Sequence, residues 1–354
     1  MEGNLKMKKI LTTLCAVAML AGCTAGGSKK SSTNTSTKEE TAATVMVGTG
    51  SVTNVASKVN EGSDKEVKFD TTFASVVLEG DVIKYVYFDV AQDKVTYDAT
   101  GHVTSDNTAS TSKKALGDKY GMKDKSPIKK EWYEQVEALE KWAVGKTVEE
   151  VLNMPTTQKD EKHTVTADKD LMTGCTIGVT AFQQALDKAA KNAVEVKDVA
   201  SVGSAILTEV SGKDASAEKS GEAKASSTYG VVALDKDGKV VFTQTDEAQN
   251  AVKFTTAGAL DGEAVAVATK GEKKDEYGMK KASSIGKEWF EQNQAYDEWT
   301  VGKTAKEIAD MKVTTNEGGK TVTADKDLMT GCTMGVDSLQ KVTETAIATA
   351  SKLN

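Results

Sequence analysis

Asp170-Leu171-Met172-Thr173-Gly174-Cys175-Thr176 is written twice in this chain, returning 157 residues later as Asp327-Leu328-Met329-Thr330-Gly331-Cys332-Thr333. Thr-Val-Thr-Ala-Asp-Lys precedes both copies, at 164–169 and 321–326, and an amphipathic segment follows each. Working outward, Tyr120, Trp132, Trp142 and Thr147 find counterparts in Tyr277, Trp289, Trp299 and Thr304. The register runs without a gap from about 74–193 onto 231–350, and the early strands need a small one. A period this long denotes tandem whole units, not a solenoid of short repeats.

Each unit begins with strand patterns. Segments 45–55, 66–77, 82–90 and 94–97 are rich in Val, Thr, Phe and Tyr, and 229–234, 239–243 and 251–254 answer them. Asp237-Gly238 between apolar runs is a hairpin signal. Downstream, Ser126-Pro127 has the form of a helix start, with Ile128, Trp132, Gln135/Val136, Leu139 and Trp142 on the buried face. Thr147-Val148-Glu149-Glu150 and Thr304-Ala305-Lys306-Glu307 are capping boxes of a second helix. Behind Thr176, the spacing of Val179, Phe182 and Leu186 predicts a helix over 177–186 that opens at Thr176; Val336, Leu339 and Val342 match it. The expected fold is α+β, mainly antiparallel sheet with packed helices, in two tandem copies at 44–196 and 197–354. The 354 residues suffice for two ordinary domains with their own cores.

The first residues carry an address. Lys6, Lys8 and Lys9 precede an apolar run at 10–20 that is too short to span a membrane as a mature helix. Leu20-Ala21-Gly22-Cys23 then has the form of a bacterial lipobox. Residues 1–22 are therefore expected to be a signal peptide and Cys23 the lipidated first residue. Residues 23–43, mostly Ser, Thr, Lys and Gly, form an expected disordered tether. The expected location is the outer face of the cell membrane, with lipid on Cys23 as the bilayer contact. Formal charge is −7, and removing three lysines and Glu2 with the signal takes it to −9. Arginine is absent throughout, which argues against a nucleic-acid partner. Of the four cysteines, Cys15 lies in the signal, and Cys175 and Cys332 stand singly at equivalent positions. That is neither a zinc spacing nor a disulfide framework.

The chemistry concentrates on the repeated turn. A Thr hydroxyl can form a phosphoester, and a helix start offers free N–H groups to a phosphate. The plain alternative is that Thr176 and Thr333 cap the helices that follow. D-x-x-T-G-C-T resembles the flavinylation signature D-x-x-[ST]-G-A-T of FMN-carrying electron-transfer domains, with Cys175 and Cys332 where that family has Ala. In the family a flavin transferase joins FMN to the hydroxyl of the last Thr. The resemblance therefore implies covalent FMN on Thr176 and on Thr333, two FMN-binding domains, and recognition by the transferase through Asp170 and Asp327. Thr173, Gly174 and Cys175, with Thr330, Gly331 and Cys332, complete the two motifs. Tyr120, Trp132, Trp142, Met122 and Met172, with Tyr277, Trp289, Trp299, Met279 and Met329, are candidates for the flavin pocket, since isoalloxazine stacks on aromatic and Met faces. For the Trp residues, packing of helix on sheet competes with that role. With no arginine, backbone N–H groups and Lys must hold the phosphate.

The resemblance is closest to flavinylated lipoproteins of Gram-positive extracellular electron transfer, of pheromone-lipoprotein type. It implies electrons passing from a membrane quinone system to external acceptors such as ferric iron or free flavin. A cofactor-free surface lipoprotein binding a small ligand or wall component is the alternative. A self-contained reductase ranks last, because no G-x-G-x-x-G follows a strand. His102 and His163 have no counterparts in the second unit, so neither belongs to a shared site.

Overall fold

A computed structural model describes residues 44–58, 65–106, 109–161 and 163–353; the signal segment, the tether and Cys23 lie outside them. The first half runs β1 (Val45–Lys58), β2 (Lys65–Glu79), β3 (Val82–Tyr97), β4 (Ala109–Ser110), α1 (Lys113–Leu116), α2 (Trp132–Ala143), α3 (Val148–Leu152), β5 (Thr156–Gln158), β6 (Thr164–Thr166), α4 (Thr180–Lys191) and β7 (Val194–Val196). The second half continues with β8 (Ser201–Lys213), β9 (Gly221–Leu234), β10 (Val240–Phe254), α5 (Lys270–Lys273), α6 (Trp289–Thr300), α7 (Ala305–Ala309), β11 (Val313–Thr315), β12 (Thr321–Thr323), α8 (Lys326–Met329), α9 (Asp337–Ala348) and β13 (Ser351–Lys352). The class is α+β with antiparallel sheets, ordered β3-β2-β1-β7 and β10-β9-β8-β13, and β4 of the first half pairs with β8 of the second.

Alternation along β2 explains the layering. Ala74, Val76 and Leu78 face α2 and α4, whereas Val67, Phe69, Phe73 and Val77 face the other sheet. Each half thus has an outer core under its own helices, but the inner core is joint. Tyr97 stacks on Phe254 with ring centroids 3.9 Å apart, and Phe73 lies 5.3 Å from Tyr229. Ser75 Oγ and Ser204 Oγ meet across the sheets at 2.5 Å. Two separate cores were expected from length; instead the described residues form a single compact unit. Both faces of each sheet are covered, so β2 is buried without interruption from Thr71 to Leu78.

Helices α1, α2, α3 and α4 recur as α5, α6, α7 and α9 at the 157-residue spacing. Strands β3 and β10 keep it too, since Ile83 N–H donates to the Lys146 carbonyl at 2.8 Å and Val240 N–H to that of Lys303 at 2.9 Å. Pairing Ile83 with Leu78 and Val240 with Leu234 moves β2 onto β9 one residue out of that register. Phe73 therefore answers Tyr229, and the extra residue sits in the turn at Lys236-Asp237-Gly238. Strands β3 and β10 are continuous where polar residues suggested breaks. In β10 a neighbouring helix satisfies such a residue, Thr245 Oγ1 donating to Asp297 at 2.7 Å; in β3, Asp89 accepts Ser112 Oγ at 2.6 Å and Lys114 N–H at 3.0 Å. Asp246 does the same for Thr269 Oγ1 and Gly271 N–H, at 2.5 and 2.8 Å, so a buried carboxylate anchors α1 and α5 alike.

Two helix starts differ from expectation. Helix α2 begins at Trp132, because Glu131 and Glu134 form the capping box, and Ser126 is buried in a turn ahead of it. Helix α4 begins at Thr180, because residues 176–179 first run beside β6, with Val179 N–H bonded to the Thr164 carbonyl at 2.9 Å. The Thr147 and Thr304 boxes form as read from sequence.

Candidate functional site

The repeated turn is built from its own polar side chains. Asp168 Oδ1 accepts the N–H groups of Asp170 and Leu171 at 3.1 and 3.0 Å, and Asp325 accepts those of Asp327 and Leu328 at 3.0 and 3.2 Å. Thr173 Oγ1 donates to the Asp170 carbonyl at 2.8 Å, and Thr330 Oγ1 to that of Asp327 at 2.9 Å. Leu171 and Leu328 are buried and pin the turns to the core. These bonds leave the carboxylates of Asp170 and Asp327 exposed, with no partner among the described residues.

Gly174 and Gly331 are required by the packing of the turn against the helices. A Cβ on Gly174 would stand 2.7 Å from Ala138 Cβ, and one on Gly331 2.6 Å from Ala295 Cβ. Glycine lets the turn close on α2 and α6. The next residues, Cys175 and Cys332, are fully buried and free, and burial pushes both thiols up to about 11. Native protein at pH 8 is accordingly expected to resist alkylation by iodoacetamide at both positions and to react fully in denaturant. Peptide mapping that found rapid native labelling would contradict this packing.

Thr176 and Thr333 are then seized from the side. Buried Gln135, on α2, turns its Oε1 to accept both the N–H of Thr176 at 2.9 Å and its hydroxyl at 3.1 Å. Gln292, equally buried on α6, takes the Thr333 N–H at 2.8 Å, its hydroxyl at 3.4 Å and the Met334 N–H at 3.1 Å. Each amide is oriented by its other end. Gln135 Nε2 donates to Ser126 Oγ and to the Lys130 carbonyl, both at 3.1 Å; Gln292 Nε2 donates to Ser283 Oγ at 3.0 Å and to the Lys287 carbonyl at 3.1 Å. The hydroxyl proton points at the glutamine; among the described residues nothing donates to the Thr176 oxygen, whereas Thr333 Oγ1 accepts the Ser284 hydroxyl at 3.4 Å. Thr176 does not start a helix, and its N–H is occupied by Gln135 instead of awaiting an anion.

Glu131 shapes the rim. Its carboxylate accepts the N–H groups of Met122 and Lys123 at 2.8 and 3.0 Å, and Glu288 repeats both distances with Met279 and Lys280. The resulting cleft, about 250 Å³, is lined by Tyr120, Met122, Lys125, Gln135, Lys159 and Thr176 among others. Lys159 Nζ lies 3.3 Å from the Thr176 carbonyl oxygen. Lys159, with Lys125 also on the cleft wall, suits a phosphate, and Tyr120 with Met122 suits a flat aromatic group. The volume is below the range that encloses a small molecule, so a ligand of FMN size would be held at one end and exposed at the other.

Of the residues singled out from sequence, Thr176, Tyr120 and Met122 come together here. Met172 and Met329 are 44% and 45% exposed, and Met172 is not part of the cleft wall. Trp132, on α2, packs on Phe182 of α4 at 6.2 Å and on Tyr120 at 6.3 Å, inside the outer core of the first half. Sequence reasoning missed Gln135, Gln292, Glu131, Glu288, Lys125 and Lys159 as site residues. One signal was available: Glu-Trp-x-Glu-Gln stands at 131–135 and again at 288–292, with a Gln on an otherwise apolar face. No family model, curated protein or solved structure matches the chain.

Proposed function

We propose that the chain is an exported, lipid-anchored electron carrier bearing FMN esterified to Thr176 and Thr333. The supporting observation is the paired clamp: two hydroxyls 157 residues apart, each donating its proton to a buried glutamine. In the attachment step a threonine oxygen bonds to the FMN-side phosphorus of FAD. The pyrophosphate bond breaks, AMP leaves, and the hydroxyl proton passes to a base of the transferase. Asp170 and Asp327, exposed and unpartnered among the described residues, are the groups this partner would read. Lys125 and Lys159 would face the phosphate at the first site. Once bound, the flavin supplies the redox chemistry; the chain supplies tethering, partial cover and charge. Electrons would enter from a membrane quinone system and leave to ferric iron or free flavin, with Cys23 holding the protein at the bilayer.

Co-expression with a flavin transferase tests the reading. Denatured protein should stay yellow and carry the mass of two FMN groups, Thr176→Ala and Thr333→Ala should each remove one, and the double variant both. Unmodified peptides at both threonines in loaded wild type would sink the proposal and leave a cofactor-free binding lipoprotein in its place.

A further inference from the structure

The two sites share a frame but not its charges. Lys113 and Lys270 occupy matched positions over matched rings. Lys113 Nζ stands 5.2 and 5.4 Å from the ring centres of Tyr120 and Trp132, and Lys270 Nζ 5.3 and 5.4 Å from those of Tyr277 and Trp289. Lys270 forms an ion pair with Glu247 at 2.7 Å, its side chain only 10% exposed. At the position of Glu247 the first half has Val90, and Lys113 makes no ion pair among the described residues. Asp70 and Asp89 are the acids acting on Lys113, but Asp70 is engaged by Lys68 at 3.2 Å and Gln92 at 2.8 Å, and Asp89 by Ser112 Oγ and the Lys114 N–H. Burial lowers the Lys113 ammonium to about 8, which leaves it mostly charged at neutral pH. The cleft wall differs in the same sense. Lys125 and Lys159 of the first site are replaced by Ala282 and Asn316 in the second. Lys281 for Asp124 and Lys320 for His163 run the other way, and these lysines, like Lys125 and Lys159, are exposed, where water and salt screen them.

We propose that the two threonine sites are electrically unequal, and that the first holds its flavin at the higher reduction potential because Lys113 stands without an ion pair among the described residues where the second site has Lys270 neutralised by Glu247. This rests on the flavin reading above. A quinol that reduces a flavin gives up two electrons and two protons. The ring keeps both electrons and one proton, the other proton goes to water, and the reduced ring carries one negative charge. Uncompensated ammonium groups near the ring stabilise that charge and raise the potential. Electrons reaching the chain then collect at Thr176 in preference to Thr333.

Single-site proteins make the comparison direct. Thr333→Ala leaves only the first flavin and Thr176→Ala only the second, and spectroelectrochemical titration at pH 7 reads each potential. The first is expected to be more positive. Lys113→Gln should lower the first, and Glu247→Gln should raise the second. Equal potentials, or the reverse order, would overturn the inequality while leaving the flavin reading intact. Absence of flavin from both proteins would overturn the flavin reading and the inequality with it.

Discussion

Gln135→Leu should cost about 2–4 kcal/mol of stability and sharply reduce FMN attachment at Thr176, leaving Thr333 loaded. The leucine removes the acceptor for the Thr176 N–H and the donor to Ser126 Oγ, so two polar groups in the interior lose partners together. Each buried group left unsatisfied costs about 1–3 kcal/mol. Loading falls for a separate reason: without Oε1 the hydroxyl rotates, and its lone pairs no longer point outward. Gln135→Glu separates the two effects. It keeps an acceptor for Thr176 but loses the donor to Ser126 and Lys130, so stability should fall while attachment at Thr176 is largely kept. Urea unfolding gives the first quantity and peptide mass the second. Equal loading of Gln135→Leu and wild type would show that the glutamine only supports the turn. Gln292→Leu should mirror the result at Thr333.

Gly203→Ala is expected to lower stability by about 3 kcal/mol or more, at or beyond the upper end for overpacking. A Cβ there would fall onto the carbonyl of Ala346 and stand 2.8 Å from the Ala350 amide nitrogen. Both are backbone atoms of α9 and the chain just after it, so no side-chain rotation relieves the clash. The helix would have to lift from β8 and drag Val342 and Ala346 out of their cluster. Gly48 holds the same place against the Ala189 carbonyl of α4, and Gly48→Ala should act alike. Gly335→Ala is the control: its Cβ would meet nothing nearer than 3.7 Å, and a change within about 1 kcal/mol is expected. A shift in urea midpoint for Gly203→Ala no larger than the control's would contradict this packing.

Much of the fold was legible because short-range rules govern it. Val179, Phe182 and Leu186 mark a helical face by spacing alone, and Thr147 with Glu150 closes its capping box within one turn of helix. The doubled D-x-x-T-G-C-T turn is likewise local, since Asp168 and Thr173 bond to their own backbone neighbours. Those interactions span two to four residues, so the order of residue types is enough to specify them, and so is the α+β class that follows.

What joins distant segments was not legible. Gln135 reaches Thr176 across 41 residues, and Ser75 meets Ser204 across 129; neither partner carries a mark in its own neighbourhood that names the other. The joint inner core, the packing duty of Gly174 and the departure of Thr176 from the helix start all depend on how α2 and the two sheets come to rest. Lys113 and Lys270 are the same residue in the same register, yet only the folded chain sets Glu247 beside one of them. Contact across space depends on the closed shape of the whole chain, and identical words in a sequence can therefore stand in unequal fields.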